Sequence, residues 1–216
     1  MKRIVQEAGA LGLTVVGAFH PEPEDIAPEG IATLVLLGPG GPDMWSRFTS
    51  DPEYHDNADH AMDRWSERVI SGLARSLEAR AFFPFGGPPW HPFQRWAAKA
   101  EGAVVSPVAM QATAARGLWT SYRGALGFPA RLDLPETDRP DPCAPCPKPC
   151  VDACPVGAFQ DGTYDIPRCV THVRSEAGMA CLQGCLVRRA CPAGKGMMLP
   201  TEQRAFHMAA FLRAQS

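Results

Sequence analysis

All eight cysteines of this 216-residue chain fall between Cys143 and Cys191. They read Cys143-x2-Cys146-x3-Cys150-x3-Cys154-Pro155, then Cys169, then Cys181-x3-Cys185-x5-Cys191-Pro192. Thiolates at such spacing are ligands for iron–sulfur clusters or zinc. A 4Fe-4S cube needs four thiolates at its corners: a loop supplies three that are close in sequence, and the fourth comes from elsewhere in the chain. Eight cysteines and two Cys-Pro endings fit two such cubes, whose chemistry is the transfer of single electrons.

In two-cluster ferredoxins the cysteine before proline serves the other cluster. By that rule Cys143, Cys146, Cys150 and Cys191 form one set, and Cys154, Cys169, Cys181 and Cys185 the other. Cys150 and Cys154, at i and i+4, are expected on one helix face while serving different sets. The spacing departs from the bacterial pattern in two places. Three residues instead of two separate Cys146 from Cys150, and five instead of three separate Cys185 from Cys191. We expect Pro147-Lys148-Pro149 to absorb the first extra residue in a rigid, extended bulge. A zinc module is the competing reading, although zinc ribbons usually carry two matched Cys-x2-Cys knuckles and this chain has one. A disulfide scaffold suits a short secreted chain better than this one.

The segregation of the cysteines divides the chain into a region with an ordinary core and a region organised around sulfur. A formal net charge of −2, with basic residues dispersed, argues against a nucleic-acid partner. The N-terminus is basic but is interrupted by Gln6 and Glu7, so no signal peptide is expected. No apolar run approaches the roughly 18 residues that span a bilayer. We therefore expect a cytoplasmic protein, whose reducing surroundings direct cysteines to metal or redox work.

Apolar periodicity sketches the elements that must position these groups. Ile4, Ala8 and Leu11 predict a helix before Gly12, and Leu13 to Phe19 a strand. Pro21, Pro23 and Pro28 mark a loop, and Ile31 to Leu37 a strand buried on both faces. Met62, Trp65, Val69, Leu73 and Leu77 form one face of a helix between about Asn57 and Glu78. Further strands are expected at Ala81 to Phe85, Gly117 to Tyr122 and Phe128 to Leu132, with a short helix from Gln94 to Ala100. Pro135 to Pro142 reads as a linker. Thr201 is placed to cap a closing helix to Ala214, with Ala205, Met208, Ala209 and Leu212 on one face. The expected class is α+β, divided into an α/β domain over 1–134, a ferredoxin-like module over 135–200 and a closing helix over 201–216.

From Cys143 to Pro155, then Gly157-Ala158-Phe159, the Arg168-Cys169 step and the final Cys-Pro, the chain resembles the C-terminal module of epoxyqueuosine reductases and reductive dehalogenases. Gly12 to Gly17 resembles the opening helix-to-strand step of those enzymes, and Ala32 to Leu37 their second strand. The resemblance implies two clusters that pass electrons to a corrinoid bound by the preceding domain. Phe82-Phe83-Pro84, His91-Pro92 and Trp119-Thr120-Ser121-Tyr122-Arg123-Gly124 are similar to segments of the cobalamin-processing chaperone family, which has a nitroreductase-like fold. His91, Trp119, Tyr122 and Arg123 are thereby candidates for binding cobalamin or a flavin. As residues of turn or strand, they serve equally well as core. Epoxyqueuosine reductases carry an acid in a Val-Asp-Ser-Ala-Pro-like stretch, whereas this chain has Val104-Val105-Ser106-Pro107, and queuosine chemistry is not expected.

Two other groups read as structural. Asp51-Pro52-Glu53-Tyr54-His55-Asp56 and Asp59-His60 precede a helix, whose positive end favours acids. Gly38-Pro39-Gly40-Gly41-Pro42 lacks the Lys-Ser/Thr of a phosphate loop and reads as a turn. The expectation is an iron–sulfur protein that takes electrons from a redox partner protein and delivers them to a corrinoid, flavin or substrate. The alternative is a cobalamin-binding chaperone or electron carrier without turnover. Substrate, reductant and oligomeric state are not written in the sequence.

Overall fold

The computed structural model describes residues 1–160 and 162–215. Residue 216, the last of the expected closing segment, lies outside them. In chain order the strands are β1 (Leu13–Phe19), β2 (Thr33–Pro39), β3 (Arg80–Phe82), β4 (Val104–Val105), β5 (Gln111–Ala112) and β6 (Gly124–Phe128). The helices are α1 (Lys2–Ala10), α2 (Pro42–Ser50), α3 (Pro52–His55), α4 (Ala61–Ser76), α5 (Phe93–Glu101), α6 (Ile166–Val173), α7 (Met179–Leu182), α8 (Leu186–Ala190) and α9 (Thr201–Arg213). The chain divides into two compact units, one of residues 1–102 and 121–138, the other of residues 103–120 and 139–216. The division by sequence alone placed 103–120 in the first domain. In the fold this segment joins the cysteines, because Val108, Ala112 and Leu118 supply apolar core that the cysteine-rich segment lacks.

The first unit is built on a four-stranded sheet in the order β1-β2-β6-β3 with every pair antiparallel. This is a mixed α and β arrangement in line with the α+β class. All of β2 and β6 is buried, as two central strands covered on both faces must be. Their register sets Leu34 against Gly127 and Leu36 against Ala125, so large side chains meet small ones. Helix α4 packs on β3 and β6, while α1 and α5 pack on β1. Gly17 permits that last approach, since a Cβ there would lie 2.4 Å from the Ala100 carbonyl oxygen.

Sheet pairing moved several boundaries. Phe128 to Leu132 was expected as a strand, but β6 ends at Phe128. Beyond it, Thr33 Oγ1 donates to Ala130 O and accepts from Leu132 N, both at 2.9 Å, and these side-chain bonds replace the ladder. Gly117 to Tyr122 is a turn, because Gly117 takes φ +50° and the Thr120 hydroxyl folds back to its carbonyl at 2.7 Å. The strand expected from Ala81 to Phe85 stops at Phe82. The glycine-proline stretch after β2 turns at Gly40 and Gly41 and opens α2, a helix that the periodicity did not reveal. The acids before α4 neutralise its arginines instead of its N-terminus. Arg64 meets Asp56 at 2.7 Å, and Arg68 meets Asp51 at 2.9 Å and Glu53 at 2.5 Å. Arg68 accordingly holds the Glu53 carboxyl below its usual range.

The second unit carries the β4-β5 pair and the short helices α6 to α9. Helix α9 packs on α7. Its N-cap is Pro200, without a side-chain bond, and Gln203 is its buried residue. The expected Thr201 cap does not form, and Ala205, Met208, Ala209 and Leu212 are half-buried like the residues between them. No helix among the described residues is long and apolar enough to cross a membrane.

Candidate functional site: two sets of cysteines

The first set of sulfurs is assembled by turns. Cys146 N donates to Cys143 O at 3.3 Å and Val151 N to Lys148 O at 3.1 Å. No helix forms between Cys150 and Cys154, so the expected shared face is replaced by two successive turns. Lys148 adopts φ +59°, a left-handed reversal and not the extended bulge foreseen for Pro147-Lys148-Pro149. This reversal aims the Lys148 amide at Cys146 Sγ, 3.3 Å away.

Cys143, Cys146, Cys150 and Cys191 line one cavity together with Ser106, Ala112 and Leu118. Cys191 comes from the far end of the segment. Gly117 lets it in, because a Cβ at Gly117 would sit 2.6 Å from Cys191 Sγ. Burial pushes the Cys143 thiol up, and Asp141, Cys150, Cys191 and Cys146 add to that. The Cys150 thiol is raised by burial and then by Cys191 and Cys146. Cys143 and Cys150 thus both have Cys146 and Cys191 as charged neighbours.

The second set behaves in the same way. Burial raises Cys169, with Cys185 and Cys154 as its charged neighbours. Burial also raises Cys181, beside Cys185, Cys154 and Cys169. The Ala158 amide donates to Cys154 Sγ at 3.3 Å, and Tyr164 and Cys169 both pack against the core that holds Phe159. Tyr164 is held flat on Phe159, with ring centroids 4.4 Å apart and an interplanar angle of 9°. Arg188, half-buried, donates to Leu118 O and has Cys185 and Tyr164 as charged neighbours. The two sets share one apolar core. Cys150 is inside it, and Cys143, Cys154, Cys169, Cys185 and Cys191 pack against it.

Among the described residues no three His, Cys, Asp or Glu side chains converge to hold a single metal ion. A cube makes a different demand, one thiolate for each of four separate irons around an enclosed space. The cavity of the first set offers such a space, together with a buried hydroxyl, Ser106 Oγ, that lacks a hydrogen-bond partner. The donor set therefore fits an iron–sulfur cluster. Ser106 was missed as a site residue. The sequence marked it only by its place in the stretch where the resembled reductases carry an acid.

The four candidates for cobalamin or flavin are divided between the two units. Trp119 belongs to the second unit, where its Cδ1 atom would lie 2.8 Å from a Cβ at Gly194. His91, Tyr122 and Arg123 belong to the first and have protein partners. The Tyr122 hydroxyl donates to Glu101 Oε1 at 2.5 Å, and Arg123 Nη1 lies 3.5 Å from Asp63 Oδ1. The His91 ring stacks on Trp96 at 5.4 Å and meets the edge of Phe82 at 5.2 Å.

Burial, then Arg80, lowers the His91 pKa. An unfolded histidine titrates near ~6.5. Below that pH the unfolded chain binds more protons than the folded one, so His91 removes stability as pH falls and none of it above. Urea unfolding of the wild type and of His91→Phe at pH 7.5 and 5.5 should show the wild type losing more stability on acidification. Equal losses would mean that His91 does not stay neutral in its stack.

No protein-family model matches the chain, and no curated protein does. Among solved structures, the Bacillus subtilis epoxyqueuosine reductase aligns with a TM-score of 0.49 at 17% identity, over 93% of this chain and 66% of that one. A selenomethionine-labelled epoxyqueuosine reductase aligns at 0.48 and 17% identity, over 94% and 68%. An epoxyqueuosine reductase bound to a modified tRNA stem loop aligns at 0.48 and 18% identity, over 93% and 66%. This chain spans 66% of the length of the first of these epoxyqueuosine reductases.

Proposed function

We propose that this chain is an iron–sulfur electron-transfer protein carrying two 4Fe-4S clusters. Cys143, Cys146, Cys150 and Cys191 hold one, and Cys154, Cys169, Cys181 and Cys185 the other. The observation that carries this reading is one cavity lined by Cys143, Cys146, Cys150 and Cys191, with Cys154, Cys169 and Cys185 packed against the same apolar core. When bound, such clusters accept and release one electron at a time.

The residues of the chain do the rest. The Lys148 and Ala158 amides donate to Cys146 and Cys154 and spread the negative charge of the thiolates. Phe159, Val187 and Leu118 keep water from the sulfurs, which strengthens each of those hydrogen bonds. Arg188 sets a half-buried positive charge beside Cys185. A shared core between the two sets favours passage of an electron from one to the other, with a redox protein as the external donor.

The residues considered for a corrinoid or flavin are engaged with protein groups, so we assign neither cofactor to the first unit. The reading rests on electron transfer alone, and the recipient is left to experiment. Anaerobically purified protein should contain about eight irons and eight acid-labile sulfides per chain. It should also show a broad visible absorbance that dithionite bleaches. Zinc without sulfide would make the second unit a structural metal module and end the electron-transfer reading.

A further inference from the structure

Ser106 opens the turn between β4 and β5. Its amide donates to Met110 O at 2.8 Å and its carbonyl accepts from Ala109 N at 3.0 Å. Both backbone groups are thus satisfied, but the hydroxyl is not. The residue is 4% exposed and Oγ has no hydrogen-bond partner. Around it, Val108, Ala112 and Leu118 are buried and apolar. An alanine would fill this place without leaving a polar atom unpaired, whereas a buried hydroxyl without a partner is destabilising.

The cavity supplies the explanation. Ser106 lines it with Cys143, Cys146, Cys150 and Cys191, yet takes none of these sulfurs as its acceptor. A group held between the four sulfurs would lie on the same cavity wall as this hydroxyl and could accept its bond. A bare zinc ion accepts no hydrogen bond, whereas the sulfides of an iron–sulfur core do.

Resting on the reading above, we propose that the Ser106 hydroxyl is a positioning donor to the iron–sulfur core held by Cys143, Cys146, Cys150 and Cys191, and raises its reduction potential. Reduction adds one negative charge to the core. A donor fixed against it stabilises the reduced form more than the oxidised one, and hydrogen bonds to sulfur are among the determinants of cluster potential. The donor is already in place before the electron arrives, held by two backbone hydrogen bonds.

The test is a dithionite titration of the purified holoprotein, followed by electron paramagnetic resonance, on wild type, Ser106→Ala, Ser106→Gly and Ser106→Thr. Iron and sulfide are counted first, so that absence of clusters from the wild type, which would defeat the electron-transfer reading itself, is seen separately. With clusters present, loss of the hydroxyl should lower one of two midpoint potentials and leave the other in place. The expected change is about tenfold in that reduction equilibrium, or about 59 mV for one electron. Threonine, which keeps the hydroxyl, should restore most of it. The glycine variant gives the same readout if the alanine variant does not retain iron. Unchanged potentials in hydroxyl-less variants with full iron overturn the proposal, as does a threonine variant that falls as far as alanine.

Discussion

Replacing Cys191 with Ala should cost the protein about four of its eight irons and about four sulfides, and adding Cys150→Ala should cost no more. Both residues line one cavity, although they come from opposite ends of the cysteine segment. The pair Cys150→Ala with Cys154→Ala should instead remove both clusters, because Cys154 stands with Cys169 and Cys181. Pairing by sequence order predicts the reverse. There Cys150 and Cys154 would fail together, and Cys150 and Cys191 would each remove a different cluster. Non-additive loss within a set and additive loss between sets is the signature of shared ligation. Iron and sulfide counts on the three single and two double variants decide the matter. A Cys150/Cys191 double variant devoid of iron would refute the crossed assignment.

The second large effect belongs to the first unit. Trp96 on α5 is 0% exposed, and its ring contacts Phe93, His91 and Phe82 with centroids 4.9, 5.4 and 6.3 Å away. Its indole N–H donates to Asp25 O at 2.9 Å. Trp96→Ala removes the ring, leaves a cavity and strands that carbonyl, a change that typically costs about 3–5 kcal/mol. Set against a total stability of about 5–15 kcal/mol, this is enough to leave part of the chain unfolded. At roughly 2–4 °C per kcal/mol for a chain of this size, thermal unfolding should move down by about 10 °C. Trp96→Phe keeps most of the packing and loses the donor, so it should cost clearly less. Unfolding followed by circular dichroism separates the two variants. An alanine variant within about 1 kcal/mol of wild type would show that the aromatic cluster is not a keystone of this unit.

The sequence was most informative where a property is carried by residue type and short spacing. Eight cysteines confined to one segment, two of them before proline, pointed to thiolate chemistry and even to a crossed pairing. The helices α1, α4 and α5 were legible because apolar residues recur on one face, and β1 and β2 because their runs are bounded by glycine and proline. Strand ends were less so. At Phe82 and Phe128 the strands stop where their neighbours do, and pairing partners are distant in sequence.

Tertiary structure decided what depends on groups brought from afar. It moved 103–120 to the cysteines, because that segment's apolar side chains complete a core the cysteine run cannot build. It shaped the entry of Cys191 through the missing side chain of Gly117. It turned His91, Tyr122 and Arg123 into members of a stack, a hydrogen bond and an ion pair. Ser106 shows the limit most clearly. A lone serine carries no signal in a sequence, and its meaning comes from a buried, unpartnered hydroxyl on the wall of a cavity lined by four sulfurs.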